Sequence, residues 1–250
     1  MPKQKKSAAS AAPSTTEPPE KLASAPKAPE GQPADVAAIR REIKTFLQTK
    51  DGKGRRIGTC QFGVYAFYDY DGEPIYIGQT FEGLGKRIGR HLTNQRTDAV
   101  AMNVLDPFEV AEIRVWPLDL GHLPKDEAKA ELDRAEYTLF LEVIKESSFN
   151  AVLNEKAPRK TALIKLPQPY VGRIIPEDIF PERKHPDVRI ARRASTIAAL
   201  ARVISERKVT KHLRTTLLTQ ARRLEHLAKE RLAEFEGTAD DDEEDLESKD

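Results

Sequence analysis

The stretch GVYAFYDYDGEPIYIGQT, Gly63 to Thr80, decides the fold. Two runs rich in aromatic and β-branched residues, 62–68 and 75–77, flank the sequence DYDGEP. Asp-Gly followed by Glu-Pro is favourable turn chemistry, so the stretch predicts a β-hairpin. Neighbouring strands pair side chains across the ladder, and we therefore expect Tyr65 and Tyr76 to present both hydroxyls on one face of the sheet. The other two tyrosines, Tyr68 and Tyr70, are expected to belong to the packing or turn of the hairpin.

The segments that follow the hairpin predict an α+β fold. Leu84, Ile88 and Leu92 have helical spacing, and the alternation from about 109 to 118 predicts a third strand. An acidic first turn after Pro124 opens a long helix that runs to about residue 147. The pattern therefore predicts a small antiparallel three-stranded sheet flanked by helices, followed by a helical C-terminal region.

Composition shifts along the chain predict six segments. Residues 1–33 are rich in Ala, Pro, Ser and Lys and lack periodicity, which is typical of a disordered arm. The other expected segments are an N-terminal helix and linker (34–58), the central domain (59–160), a Pro-interrupted connector (161–186), a basic helical region (187–236) and an acidic disordered tail (237–250). The basic helical region is expected to form two helices that are broken near residues 205–210, or one long helix.

Bulk composition narrows the class of protein. The chain has 250 residues, with 39% hydrophobic and 32% charged residues, which is typical of a polar globular protein. No apolar run approaches the ~18 residues of a membrane span, so we expect no membrane partner. The N-terminus lacks the apolar core of a secretory signal, and the single cysteine, Cys60, excludes an internal disulfide. The expected compartment is the cytoplasm.

Charge is segregated although the net charge is only +1. Residues 187–234 contain twelve Lys and Arg against five Asp and Glu, whereas residues 236–250 contain nine acids and one lysine. A basic cluster suits a polyanionic partner such as DNA. An equally weighted interpretation is that these helices pack on the central domain or form a dimer. The expected phosphate contacts are Arg192, Arg193, Arg202, Arg207, Lys208, Lys211 and Arg214.

The central domain carries a recognisable motif. Gly63-Val64-Tyr65 and Tyr76-Ile77-Gly78 are separated by ten residues, and the next helix carries Arg87 and His91. A later helix bears a glutamate, and an asparagine ends the domain. This order of elements resembles the GIY-YIG nuclease family, with Val in place of the central Ile of the first triplet. The resemblance covers about residues 62 to 154 and implies a metal-dependent endonuclease that hydrolyses DNA phosphodiester bonds.

The resemblance also implies roles for the site residues. Tyr65 would be the general base, directly or by way of the cation, and Tyr76 would hold the nucleophile or a phosphate oxygen. Arg87 and His91 are i and i+4, so they share a helix face. The guanidinium of Arg87 is suited to a phosphate, and His91 would orient or deprotonate the nucleophile.

Two glutamates on the long helix compete for the role of metal ligand. Glu136 falls on the apolar stripe of Leu132, Leu139 and Val143, and a carboxylate on that side costs free energy unless it is paired, for example with a cation. Glu142 lies on a face that is expected to be solvated. We therefore expect Glu136 to be the metal ligand, with a buried salt bridge as the alternative.

Two asparagines compete for the last position of the motif. Asn150 follows Glu136 by 14 residues, and Asn154 follows Glu142 by 12 residues. The preference for Glu136 favours Asn150 as its partner, and the pair of Glu142 and Asn154 is the alternative register.

One carboxylate ligand predicts a single Mg²⁺ or Mn²⁺ that is held largely through water. A non-catalytic nucleic-acid-binding or structural protein that retains the fold is the alternative function. The C-terminal region has no zinc-finger cysteines, so by elimination a restriction or mobile-element nuclease is the expected biological role. A single site cuts one strand at a time, and a double-strand break would imply a homodimer or sequential nicking.

Overall fold

The computed structural model describes residues 34–92, 106–154, 157–206, 208–209 and 211–247, and describes side chains as far as residue 236. The predicted arm, residues 1–33, lies outside this part of the chain, as does Arg207. The strands are β1 (Phe62–Tyr68), β2 (Pro74–Thr80), β3 (Glu112–Leu118) and β4 (Tyr170–Arg173). The helices are α1 (Ala34–Gln48), α2 (Leu84–Leu92), α3 (Lys125–Glu146), α4 (Phe180–Lys184), α5 (Pro186–Glu206) and α6 (Lys211–Glu247).

The four strands form one antiparallel sheet in the order β2-β1-β3-β4. The α+β class and the hairpin are confirmed, but the sheet has four strands rather than three. The fourth strand, β4, lies in the segment 161–186 that was expected to be a connector. It has only four residues and alternates between half-buried and exposed positions, so its signal is weak beside the prolines around it.

The two faces of the sheet are covered by different helices because side chains alternate along each strand. Tyr65 and Phe67 of β1 face a core that is completed by apolar side chains of α1, α2, α5 and α6. Val64 and Ala66 face a second core, which α3 covers with Leu132, Ala135, Leu139 and Val143. Both faces of β1 are buried, which explains why its sequence is apolar throughout rather than alternating.

The C-terminal helices are joined to the hairpin by buried ion pairs. Asp69, at the end of β1, accepts from Arg193 Nη2 at 2.8 Å and from Arg189 Nη2 at 3.2 Å, and all three side chains are buried. Glu109 lies beside both arginines, and its own burial raises the pKa of its carboxyl group. Residues 34–250 consequently form one compact unit, in which the basic helices are part of the domain.

Arg223 of α6 makes a second buried connection to the hairpin. Its Nη2 donates to Glu73 Oε1 at 3.1 Å, to the carbonyl of Pro74 at 2.8 Å and to the carbonyl of Ala151 at 3.0 Å. Burial lowers the pKa of Arg223 to about 10, although the carboxylate of Glu73 opposes that shift. The charge of a guanidinium buried this deeply is stabilised by its partners, because burial of an unpaired charge costs free energy.

Helix α5 ends at Glu206 and α6 begins at Lys211, so the basic region forms two helices and not one long helix. The second of them, α6, continues to Glu247 and so covers most of the segment 237–250 that was expected to be a disordered tail. The helix is already nucleated upstream, and the glutamates of this segment extend it although its aspartates have weaker helix propensity. Within the described part of the chain, no helix combines the length and the apolar character that a membrane crossing requires.

Replacement of Arg223 should destabilise the fold far more than replacement of its neighbour Arg222. Arg223→Met leaves Glu73 buried without its cation and should lower the free energy of unfolding by about 3–5 kcal/mol. Arg222 is exposed on the same helix, and Arg222→Met should change the free energy by less than about 0.5 kcal/mol. Urea unfolding of both variants measures the difference, and equal effects would contradict the role given to the buried pair.

Candidate active site

Gly63 begins the first motif triplet and Gly78 ends the second, and close packing requires a glycine at both positions. Tyr65 of β1 lies opposite Gly78 of β2, and a Cβ on Gly78 would sit 2.4 Å from the Tyr65 hydroxyl oxygen. A Cβ on Gly63 would sit 2.8 Å from the carbonyl oxygen of Trp116 and close to the side chain of Leu84. The ring of Tyr65 therefore lies flat against the backbone of β2, where only glycine leaves room for it.

Tyr65, Tyr76 and His91 form a compact aromatic cluster. The Tyr65 hydroxyl and His91 Nε2 are hydrogen-bonded at 2.9 Å, and both side chains are buried. The ring centroid of Tyr76 lies 5.0 Å from that of His91 and 6.3 Å from that of Tyr65. The structure thus brings the two tyrosines of the motif onto one face of the sheet, against the histidine of α2.

Arg87 connects this cluster to the opposite face of the sheet. Burial disfavours its charge, but the hydroxyl of Tyr65, followed by Tyr76 and the carboxylate of Glu136, raises the pKa of its guanidinium. Its Nε is buried without a hydrogen-bond partner among the described residues. An arginine with a buried, unpaired donor beside two phenols is suited to bind an oxyanion such as a phosphate.

Glu136 reaches the site from α3, which packs on the other face. Its Oε2 accepts from Gln79 Nε2 at 2.9 Å, and Asp133 Oδ1 accepts from the same nitrogen at 2.8 Å. Burial raises the pKa of Glu136, while the hydrogen bond from Gln79 and the charge of Arg87 act in the opposite direction. Because β2 is an edge strand, groups from both faces meet around it: the tyrosines from one side and the carboxylates from the other.

Glu142, the alternative glutamate, is exposed on α3. The partly buried position of Glu136 therefore agrees with its helical spacing relative to the apolar residues Leu132, Leu139 and Val143. Sequence reasoning missed Gln79 and Asp133. Two signals were available for them: Gln79 directly follows the second triplet, and Asp133 precedes Glu136 by one helical turn.

The asparagine that reaches the hairpin is Asn154, and the choice of Asn150 is corrected here. Asn154 is buried, accepts from the backbone N–H of Ile77 at 3.0 Å and donates to the Ile77 carbonyl at 2.8 Å. Its amide thereby replaces a neighbouring strand along the edge of β2. Asn150 is exposed in the turn after α3 with a φ of 50°, a conformation that asparagine tolerates better than most residues.

The donor atoms fit a hard divalent cation. Glu136 and Asp133 present carboxylate oxygens to one point, and a half turn of the Gln79 amide would present its Oε1 to the same point. Oxygen ligands of this kind suit Mg²⁺ or Mn²⁺, and water would complete the coordination. Among the residues that the structure describes, no group of three or more His, Cys, Asp or Glu side chains is placed to hold a metal, so a cation at this point would have two carboxylate ligands.

The predicted phosphate contacts of the C-terminal region divide into two groups. Arg193 is buried against Asp69 and Glu109, and Arg192 pairs with Asp106 at 2.8 Å, so these two arginines stabilise the domain instead of facing solvent. The remaining described candidates are exposed, and Arg202 is 4.0 Å from Glu206. They are Arg202, Lys208, Lys211 and Arg214.

Asn154 should contribute to stability far more than Asn150. Asn154→Ala leaves the N–H and C=O of Ile77 unsatisfied in a buried position and should cost about 2–4 kcal/mol. Asn150→Gly should be neutral or stabilising by up to about 1 kcal/mol, because glycine adopts a positive φ without strain. Thermal or urea unfolding distinguishes the two. A large loss for Asn150→Gly with none for Asn154→Ala would reverse this assignment.

Comparison with known proteins finds one similarity, which covers the segment that carries this geometry. Residues 61–143 match the model of the GIY-YIG catalytic domain, and the matched segment includes both triplets, α2 and most of α3. No curated protein and no solved structure matches the chain. The match is to a nuclease domain, and it agrees with the cluster of tyrosines, arginine, histidine and glutamate around β2. About a third of the chain, residues 61–143, is therefore similar to a GIY-YIG catalytic domain, a domain type that suggests a nuclease.

Proposed function

We propose that the protein is a divalent-metal-dependent endonuclease that hydrolyses phosphodiester bonds in DNA. The observation that carries the proposal is the convergence of Tyr65, His91, Arg87 and Glu136 around edge strand β2. Hydrolysis of a phosphodiester requires an activated water, stabilisation of charge on the phosphoryl oxygens and protonation of the leaving oxygen. The residues present can meet the first two requirements.

The charge that develops on the phosphoryl oxygens would be stabilised by Arg87. The guanidinium lies beside both tyrosines, and its Nε has no hydrogen-bond partner among the described residues. A phosphate oxygen at that position would receive a charge-assisted hydrogen bond. Loss of one positioned donor of this type typically lowers the reaction rate by roughly 10²–10³-fold.

The attacking water would be deprotonated on the tyrosine side of the site. Tyr65 and His91 share a hydrogen bond of 2.9 Å, so a proton that reaches the phenol oxygen can be exchanged with the imidazole. The positive charge of Arg87 stabilises phenolate, which makes Tyr65 a better base. Tyr76, stacked on Tyr65 and tilted against the ring of His91, would orient the water or a phosphate oxygen.

The carboxylate side would hold the cation. Glu136 and Asp133 are the residues that would bind it, and Gln79 fixes their orientation. A divalent ion supplies Lewis acidity that neutralises charge on the scissile phosphate. In the net reaction, a bond forms between the water oxygen and phosphorus, one P–O ester bond breaks, and the proton lost by water balances the proton gained by the leaving oxygen.

Cleavage of supercoiled plasmid tests the proposal. In Mg²⁺ or Mn²⁺ the wild-type protein should produce nicked or linear DNA, and EDTA should abolish the reaction. Tyr65→Phe and Glu136→Gln should each lower the cleavage rate at least about 100-fold, because each removes a group that acts on the reacting atoms or on the cation.

Glu142→Gln is the matched control, since it removes the same charge from an exposed position on the same helix. It should cleave like the wild type. Full cleavage by Glu136→Gln together with loss in Glu142→Gln would move the metal to the alternative register. Tight DNA binding by the wild type without cleavage, on plasmid, branched and single-stranded substrates, would favour a binding protein that retains the fold.

A further inference from the structure

A second basic surface lies near the N-terminal end of the described chain. From residue 36 to residue 59 the sequence contains seven Lys and Arg against two Asp and Glu. The structure gathers three of the basic side chains, Arg40, Lys44 and Arg56, at a groove of about 360 Å³ between α1 and α2. We name this feature the α1–α2 groove; its floor is formed by Ile43, Leu47, Gly58, Gly85 and Gly89.

Two of the three cations at this groove face solvent. Lys44 and Arg56 are exposed, and neither makes an ion pair with any residue in the described part of the chain. In the C-terminal region, by contrast, Arg189, Arg193 and Arg223 are buried against carboxylates of the hairpin. Part of the basic charge that the sequence concentrates after residue 187 therefore stabilises the fold, while Arg202, Lys208, Lys211 and Arg214 remain exposed as a competing surface.

The groove borders the catalytic helix. Gly85 and Gly89 of α2 line it, one helical turn apart. Arg87 lies two residues from each of them and so projects from the opposite flank of α2, where it meets Tyr65 and Glu136. Lys86 and Arg90 lie between the two flanks and share a single acidic partner, Glu82. A continuous basic strip thus crosses α2, over a width of roughly 10 Å, from the groove to the site.

We propose that the α1–α2 groove binds the phosphodiester backbone of the DNA substrate and leads the strand across α2 to the scissile position. Phosphates would contact Lys44 and Arg56, and the apolar floor would accommodate the deoxyribose between them. The inference rests on the proposed nuclease function and moves the main DNA contact from the C-terminal helices to α1 and α2. The absence of a side chain at Gly89 keeps the floor open to a backbone, whereas Gly85 lets α2 pack against Gly58, whose carbonyl oxygen would lie 2.9 Å from a Cβ.

Removal of two exposed cations from each surface tests the location. The Lys44→Ala/Arg56→Ala variant should bind a labelled duplex roughly tenfold more weakly than the wild type, measured by fluorescence anisotropy in EDTA. The slope of log K against log salt should fall by about 2, because each phosphate contact contributes about 0.9. The competing surface is tested by Lys211→Ala/Arg214→Ala, which removes the same charge from exposed positions on α6 and should weaken binding much less. The control Arg222→Ala/Lys229→Ala removes two exposed cations of α6 that lie outside both surfaces and should bind like the wild type.

A second pair of variants tests the groove without removing any cation. A Cβ on Gly89 meets no atom within 4 Å, so the first atom of a side chain has room there. Gly89→Glu places a negative charge in the groove and should weaken DNA binding, whereas Gly89→Gln, of equal size, should weaken it far less. Equal effects of the two substitutions would show that charge in the groove is irrelevant to binding.

The outcomes separate this inference from the proposed function. If the wild type cleaves DNA, the groove variants bind normally and the α6 variant Lys211→Ala/Arg214→Ala binds weakly, the groove assignment is overturned. The nuclease assignment is then left intact. Groove-dependent DNA binding without any wild-type cleavage would support the groove and overturn the nuclease. Thermal unfolding of each variant confirms that a loss of binding is not a loss of fold.

Discussion

The contact between the Tyr65 ring and the backbone of Gly78 is the constraint on which the site depends. A Cβ on residue 78 would sit 2.4 Å from the Tyr65 hydroxyl oxygen, so the Tyr65 ring can pack on β2 only because residue 78 has no side chain. That placement brings the hydroxyl to His91 and beside Arg87. The spacing of the two triplets is thus a packing requirement: one strand supplies the phenol, and its partner supplies the space.

The position of β2 at the edge of the sheet lets groups from both faces act on one substrate. An exposed edge is also a liability, because unpaired N–H and C=O groups favour pairing with other chains. Here the segment after α3 covers it: Leu153 donates to the carbonyl of Ile75 at 2.7 Å, and the Asn154 amide bonds both backbone groups of Ile77. The asparagine therefore protects the strand that carries Tyr76, a role that requires an amide because it must donate and accept at once.

Local patterns predicted the hairpin, α2, the third strand and the pairing of Tyr65 with Tyr76 on one face, since turn chemistry and helical spacing are properties of short segments. The family resemblance, not local pattern, grouped Arg87 and Glu136 with the two tyrosines. What local patterns could not predict depends on contacts between distant segments. Of the two candidate asparagines, Asn154 lies beside β2, and only the fold shows this. The charge of Arg193 is visible in the sequence, but its partner Asp69 is 124 residues away and is identified only by the fold. The fourth strand was missed for the same reason, because a four-residue strand is stabilised by its neighbour β3 more than by its own sequence.

The most direct measurement of the central claim is the single-turnover cleavage rate of Gly78→Ala, beside Gly121→Ala as a control at a position where a Cβ meets nothing within 4 Å. If the Tyr65 ring must lie on residue 78, the added methyl should displace the phenol from His91 and lower the rate at least about 100-fold, while the protein stays folded at the assay temperature. Gly121→Ala should cleave like the wild type. A folded Gly78→Ala variant that cleaves at the wild-type rate would contradict the account.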